Sequence, residues 1–199
     1  MTEDVHMEAS NMGDSAWIET FTGKKFHILN PQPEEICIRD IAHALSNQCR
    51  WTGHVRQFYS VAEHSIHVSY LSGETSIERL SGLMHDASEA YLSDLARPVK
   101  HCTPIGTSYF DVENNIMLAI AKKFQFCWPP PPKVKDADNI LLYAEKETLM
   151  TGLSWKENEE DWEASPIKVP NWVYSRMSFF YPEDAEKAFL ALYREITEN

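Results

Sequence analysis

Positive charge is scarce in this chain of 199 residues, which has 18 Lys and Arg against 30 Asp and Glu. The formal net charge of −12 repels the phosphates of a polynucleotide, and no basic stripe along the sequence opposes that repulsion. We therefore expect no polynucleotide partner. A small phosphorylated substrate stays compatible with this charge, because a metal ion and a few local cations act at short range.

Long apolar runs are also missing, since none approaches the roughly 20 residues that a membrane span requires. The N-terminus reads Met-Thr-Glu-Asp-Val-His, which is acidic and unlike a signal peptide. We expect no membrane partner and a cytoplasmic protein, or one of the host cytoplasm if its origin is viral. The four cysteines form no C-x-x-C pair, so reduced thiols are expected and a cysteine-based zinc site is not.

The remaining composition is that of a folded chain, with 43% hydrophobic residues and six Trp. Its length suffices for one domain with a real core. Residues 1–15 are polar and patternless and are predicted to be a flexible tail, while residues 16–199 are predicted to form a single domain.

Helical periodicity dominates the predicted domain. Alternating residues on both sides of Thr22-Gly23 predict a short β-hairpin. Helices are predicted over 35–47, from a cap at Ser60 to Gly73, over 76–91, over 107–125, from about Val134, and from Pro182 to the end. Pro98 and Pro104 are predicted to bound a loop. The fold class is therefore predicted to be all-α, a compact helical bundle with an N-terminal hairpin.

Four residues of mixed type are candidate metal ligands: His64, the adjacent pair His85-Asp86, and Asp138. Two imidazoles and two carboxylates suit a divalent transition metal that keeps open positions. His64 taken alone is better explained as a core histidine. The carboxylates beside apolar runs are costly to bury unless they are paired or bound to metal, and one shared site explains all of them.

Further polar residues are candidates for catalysis and for substrate contacts. Glu89 is predicted on the helix face of His85 and Asp86, where it would orient or deprotonate a water, although a solvated residue is the alternative. Asp94 would serve as a second acid or base, or as a turn former. Phosphate contacts are expected from Arg97, Lys100, Arg50 and His54, and Trp51 is either a stacking platform or a core residue.

These residues resemble the HD-domain metal-dependent phosphohydrolases, whose pattern is an isolated His, an adjacent His-Asp and a distal Asp. The similarity extends to the stretches around them, which are Cys-Arg-Trp-Thr-Gly-His (49–54), Val-Ala-Glu-His-Ser (61–65) and His-Asp-Ala-Ser-Glu (85–89). Within that superfamily they are similar to a small branch with bacterial 5′-deoxynucleotidases and phage dATP triphosphohydrolases.

The resemblance implies that His64, His85, Asp86 and Asp138 hold one divalent ion, which would be cobalt, manganese, zinc, magnesium or iron. It implies that Glu89 holds the nucleophilic water and Asp94 assists proton transfer. It also implies that Arg50, Trp51 and Lys100 contact the nucleotide. The substrate would be a small-molecule deoxynucleotide.

Several functions remain open at this point. The first expectation is a dNTP triphosphohydrolase, with dATP as substrate, that releases deoxynucleoside and triphosphate. A 5′-deoxynucleotidase for dNMPs and a non-catalytic metal or nucleotide sensor are the alternatives. A diiron oxygenase needs further histidines, and His101 is the one histidine between Asp86 and Asp138. A homo-oligomer is also open, because the aromatic segment 155–181 can either form an interface or fold back over the bundle.

Overall fold

The structure is a computed structural model that describes residues 16–150 and 168–198. The predicted tail 1–15 and residues 155–167 of the aromatic segment lie outside the described residues. Within the described ranges the chain is helical apart from one two-stranded sheet, which confirms the predicted all-α class with an N-terminal hairpin. No helix in these ranges combines the length and the apolar character that crossing a membrane would require.

The hairpin consists of β1 (Trp17–Glu19) and β2 (Lys25–His27), which pair antiparallel with Ile18 opposite Phe26. The helices that follow are α1 (Ile38–Asn47), α2 (Val61–Leu71), α3 (Ser76–Leu83), α4 (Glu89–Leu92), α5 (Arg97–Cys102), α6 (Pro104–Phe124), α7 (Pro132–Leu149), α8 (Asn171–Arg176) and α9 (Pro182–Glu198).

Asp40 on α1 connects the hairpin to the helical bundle by hydrogen bonds. Its buried carboxylate accepts hydrogen bonds from the Thr22 amide at 2.7 Å, from the Thr22 hydroxyl at 2.9 Å and from the Thr20 hydroxyl at 2.9 Å. A buried carboxylate needs such donors to offset its lost hydration. The hairpin turn is therefore fixed over the start of α1.

The predicted single helix over 76–91 is wrong, because α3 ends at Leu83 and α4 begins at Glu89. The chain between them forms successive tight turns, in which the Ala87 amide bonds to the Met84 carbonyl and the Glu89 amide to the Asp86 carbonyl. His85 and Asp86 thus lie in a turn and not on a helix face.

The predicted loop between Pro98 and Pro104 is also wrong, since α5 occupies it. Proline fits at the start of this helix because the first helical turn needs no amide donor.

The central element of the bundle is α2, whose residues from Val61 to Ser69 are all buried. Its start is confirmed as predicted, since the Ser60 hydroxyl accepts the Glu63 amide. Two apolar clusters flank this helix. One includes Phe26, Leu45, Leu83, Ile120 and Phe189, and the other includes Tyr59, Val68, Leu141, Ala144 and Val173. Polar side chains on α2 are therefore deep inside the molecule.

Glu63 on α2 holds the segment that precedes α9. Its carboxylate accepts the amides of Ser178, Phe179 and Phe180 at 2.7, 2.9 and 2.8 Å. This side chain is fully buried, so the three donors replace its hydration. The C-terminal helix is thereby anchored to the helix that carries His64.

Candidate metal centre

His64 enters the site from the buried helix α2 and is completely shielded from solvent. Its Nδ1 lies 2.6 Å from Oε1 of Glu145, which is also fully buried. Because the pKa of Glu145 is below its usual value, this carboxylate accepts and does not donate. Nδ1 of His64 therefore carries a proton that it donates to Glu145, and Nε2 points into the site.

His85 enters from the turn after α3. Its Nδ1 lies 2.8 Å from the carbonyl oxygen of Gly82, which can only accept, so Nδ1 again carries the proton. Nε2 of His85 consequently faces the site, 3.2 Å from Nε2 of His64. Both imidazoles are oriented in the way that metal-binding histidines usually are, with the other ring nitrogen held by an acceptor.

Asp138 completes the group from α7. Its Oδ1 lies 3.3 Å from Nε2 of His64, and its Oδ2 accepts from Nζ of Lys135 at 2.8 Å. One ligand atom each from His64, His85 and Asp138 lie within 4.8 Å of one another. Asp86 adjoins this cluster, with Oδ2 at 3.2 Å from Nε2 of His85 and 3.7 Å from Nε2 of His64. The structure thus brings together all four predicted ligands.

The spacing of these atoms fits a single divalent ion. Ligand atoms bonded to one ion at about 2.0–2.2 Å lie roughly 3–3.6 Å apart, whether the geometry is octahedral or tetrahedral. The pairs His64–His85, His85–Asp86 and His64–Asp138 are separated by 3.2–3.3 Å, within this range, and His64–Asp86 by 3.7 Å, just above it. The donor set of two nitrogens and two oxygens suits zinc, manganese, cobalt or iron.

The electrostatics of the cluster also favour a cation. Burial and the charge of Arg50 lower the pKa of His64, but Glu145 and Asp138 outweigh them and raise it to about 9. Burial acts to raise the pKa of Asp138 and of Asp86, yet the histidines hold both below the usual range. The carboxylates are therefore ionised at neutral pH and attract positive charge.

Glu89, the predicted catalytic residue, lies at the start of α4 and is buried. Burial raises its pKa well above the usual value, and the charges of Asp86 and Asp94 raise it further. Its Oε1 lies 3.7 Å from Nζ of Lys100, while its Oε2 has no hydrogen-bond partner among the described residues. A carboxyl with a raised pKa and a free oxygen is suited to accept and return a proton.

The predicted substrate-binding residues fall into two groups. Arg50 and Trp51 lie beside the cluster, since Arg50 Nε and Trp51 Nε1 donate to Oε2 of Glu145 at 2.9 and 3.1 Å. Lys100 lies beside Glu89 and pairs with Glu113 at 3.0 Å. In contrast, the side chains of His54 and Arg97 are exposed to solvent.

Asp94, the second predicted catalytic residue, lies in the half-buried segment between α4 and α5. It is near enough to Glu89 for its charge to raise the pKa of that carboxyl. Tyr109 on α6 faces the same segment and donates its hydroxyl to the Ser93 carbonyl at 2.7 Å.

Sequence reasoning missed Glu145 and Glu113, which the structure places next to predicted site residues. A signal for Glu145 exists: it stands two helical turns after Asp138, hence on the same face, and directly follows the buried Ala144. No comparable signal marks Glu113, because its partner Lys100 belongs to a different helix.

Comparison with known proteins gives two relatives, although no protein family model matches the chain. The protein named "Uncharacterized protein YfdR" of Escherichia coli (strain K12) is 38% identical over 134 residues, which cover 67% of this chain and 72% of the relative. "Uncharacterized protein RCAP_rcc00048" of Rhodobacter capsulatus is 34% identical over 145 residues, covering 73% of its own length. At this identity and coverage, the chain belongs to the same family as YfdR and RCAP_rcc00048.

Proposed function

We propose that this protein is a metal-dependent phosphohydrolase of deoxynucleotides. In the first form of the proposal it hydrolyses a dNTP, with dATP as the first candidate, to deoxynucleoside and triphosphate. The pattern that His64, His85-Asp86 and Asp138 share with the HD-domain phosphohydrolases supports this reaction class.

One observation carries the proposal: ligand atoms of His64, His85 and Asp138 converge, with Asp86 adjoining them and both histidine tautomers fixed by acceptors outside the site. A divalent ion bound there would supply a Lewis acid that polarises a phosphate oxygen and acidifies water. The buried Glu89 lies next to this cluster, so a proton acceptor adjoins the place where phosphate would be held.

The proton-transfer role falls to Glu89. Its free Oε2 would accept the proton of the attacking water, and its raised pKa makes it a stronger base than an ordinary carboxylate. Asp94 would then relay the proton toward the leaving oxygen. Lys100, which lies between Glu89 and Glu113, would balance the negative charge that gathers on the phosphate side.

Substrate contacts in this proposal come from the turn after α1. Arg50 would meet phosphate oxygens, because its guanidinium lies 3.8 Å from Asp86 and thus borders the cluster. Trp51 is partly exposed next to it and would stack on the base or sugar. The exposed His54 and Arg97 would contribute only to the outer field that attracts the nucleotide.

A specific observation keeps a 5′-deoxynucleotidase as the second candidate. Arg50 is paired with Glu145 at 2.9 Å and Lys100 with Glu113 at 3.0 Å, so each cation is already neutralised by a carboxylate. A triphosphate needs more uncompensated positive charge around it than a monophosphate does. This pairing favours dNMP hydrolysis to deoxynucleoside and phosphate.

The test is to incubate protein reconstituted with Mn²⁺ with dATP and with dAMP separately, and to resolve the products by chromatography. Deoxyadenosine and triphosphate from dATP would support the first form of the proposal. Deoxyadenosine from dAMP, with dATP unchanged, would support the second. If a panel of the four dNTPs and four dNMPs stays intact while the metal is bound, the proposed function is wrong.

A further inference from the structure

Glu145 is a buried carboxylate that neither the sequence pattern nor the proposed reaction accounts for. It lies on α7 with no solvent exposure and accepts three side-chain donors. Oε1 accepts from Nδ1 of His64 at 2.6 Å, and Oε2 accepts from Nε of Arg50 at 2.9 Å and from Nε1 of Trp51 at 3.1 Å. One carboxylate thus contacts a metal ligand and the two residues expected to contact nucleotide.

The two oxygens of Glu145 have separate partners, which makes the carboxylate hard to replace. All three partners are N–H donors, and an amide has one acceptor oxygen where a carboxylate has two. A glutamine at this position would therefore turn its NH₂ group toward either His64 or the Arg50–Trp51 pair. Whichever way it turned, one of the two contacts would become a clash between donors.

The turn that Oε2 holds has an unusual backbone. Trp51 and Thr52 have φ of 57° and 54°, and Gly53 has φ of 79°, so three consecutive residues are left-handed. Residues other than glycine disfavour the left-handed region, so they keep this conformation only where surrounding contacts stabilise it. The side chains of Arg50 and Trp51 donate hydrogen bonds to Glu145, and the backbone N–H of Arg50 donates to the Tyr59 carbonyl. These contacts stabilise the turn.

We propose that Glu145 is a positioning residue that fixes the Nδ1–H tautomer of His64 and the left-handed turn at Trp51 at the same time. Through Oε1 it keeps Nε2 of His64 turned toward the metal, and through Oε2 it keeps the indole of Trp51 beside the metal cluster. The consequence for catalysis rests on the proposed function, whereas the positioning itself is measurable with Zn²⁺ alone.

The first experiment compares Zn²⁺ binding by calorimetry for the wild type, Glu145→Gln and the control Asp40→Asn. Asp40 is likewise a buried carboxylate with three hydrogen-bond donors, but it holds the hairpin. We expect Glu145→Gln to raise the Kd for Zn²⁺ by about 10–100-fold, the usual loss for a partner of a metal-bound histidine. Asp40→Asn should leave the Kd unchanged. Wild-type affinity in folded Glu145→Gln would overturn the inference.

The second experiment measures the turn. Acrylamide quenching of tryptophan fluorescence is measured for the wild type, Glu145→Gln and Asp40→Asn. Each measurement is repeated with Trp51→Phe added, and the difference between the two gives the contribution of Trp51. Quenching should increase in the Glu145→Gln background only, because the indole loses its acceptor. Equal quenching in all three backgrounds would contradict the assigned role at Trp51.

A third measurement needs no variant and covers the case in which Glu145→Gln does not fold. In the ¹⁵N-labelled wild type loaded with Zn²⁺, long-range correlations should show His64 protonated at Nδ1. Protonation at Nε2 would overturn the inference. If Zn²⁺ binding behaves as expected but no deoxynucleotide is hydrolysed, the proposed function fails and the role of Glu145 stands. If Glu145→Gln matches the wild type in Zn²⁺ affinity and in Trp51 quenching, yet the wild type hydrolyses a deoxynucleotide, the role of Glu145 fails and the proposed function stands.

Discussion

The orientation of single side chains decides what this cluster can do. His64 and His85 each donate Nδ1–H to an oxygen that only accepts, so their Nε2 atoms face each other across 3.2 Å. Because the pKa of His64 is raised to about 9, its Nε2 carries a proton at neutral pH in the metal-free chain, and a metal ion that binds there has to displace that proton. The cluster is therefore arranged for positive charge, which is either a proton or a metal ion.

Glu89→Gln tests the proton-transfer role at this scale. The amide keeps the shape of the side chain but cannot accept a proton, so turnover should fall by about 10²–10⁴-fold. Affinity for Mn²⁺ and for nucleotide should stay within about twofold, because Glu89 is not among the expected ligands. Steady-state kinetics and calorimetry check both values, and a variant with unaltered turnover would remove Glu89 from the mechanism.

Residues of the site differ in how far the sequence predicts them. The four expected ligands could be identified because each is a polar residue at a buried or apolar position, which is unfavourable without a partner. Glu145 lies on the helix face of Asp138, but its three donors come from α2 and from the turn after α1. Contacts between distant elements leave no local pattern, so the sequence does not predict which residues Glu145 binds.

At the scale of elements, the break between α3 and α4 is what positions His85 and Asp86. Periodicity alone predicts one helix over 76–91, because Ile77, Leu80, Leu83 and Met84 recur at helical spacing. The structure instead ends α3 at Leu83 and turns the chain, so that the His85 ring bonds to the Gly82 carbonyl. The departure from periodicity occurs at the candidate site, where the requirements of the site outweigh local preference.

The start of α3 provides a prediction about pH and stability. Thr75 and Glu78 form a capping box, and Glu78 Oε1 accepts from Lys133 of α7 at 2.7 Å. The hydrogen bonds from Lys133 and Thr75 lower the pKa of Glu78 to about 2, from 4.5 in the unfolded chain. A lowered pKa means that the ionised group stabilises the fold above pH 4.5, and that this contribution disappears as the pH falls toward 2.

Glu78→Gln should therefore lower Tm at pH 7 by a few degrees, the usual loss for a helix cap. The difference from the wild type should shrink as the pH falls from 4.5 toward 2. Thermal unfolding monitored by circular dichroism over this range is the measurement, with the exposed Glu34→Gln as the control. A difference in Tm that stays constant with pH would show that the charge of Glu78 has no such role.

For the whole molecule, the candidate ligands come from three separate places: helix α2, the turn after α3 and helix α7. Helices α3 and α7 pack against the central helix α2, and a bound ion would link all three places. An ion that binds only the folded state stabilises it by about 2.7 kcal/mol at a concentration of 100 Kd.

We therefore expect Mn²⁺ at this concentration to raise Tm by about 5–10 °C for a domain of this size. Differential scanning calorimetry measures the shift, and addition of EDTA should reverse it. A Tm that is the same with and without Mn²⁺ would mean that the folded chain does not bind the ion preferentially.

The charge of the whole molecule agrees with a site for a small ligand. The formal net charge of −12 disfavours long polyanions, yet Arg50 and Lys100 are placed beside the metal cluster by buried or half-buried contacts. Because low dielectric strengthens short-range interactions, a bound ion would dominate the local field at the candidate site.

The most direct test of this account is the stoichiometry and affinity of Mn²⁺ for the metal-free chain and for Asp138→Ala. Asp136→Ala is the matched control, because Asp136 is on the same helix but exposed. We expect one ion per chain for the wild type and for Asp136→Ala. For Asp138→Ala we expect an affinity at least about 100-fold weaker, with the helical circular dichroism retained, because losing a ligand should cost at least the upper loss known for residues that only orient a ligand. Wild-type binding by Asp138→Ala, or no binding by the wild type, would contradict it.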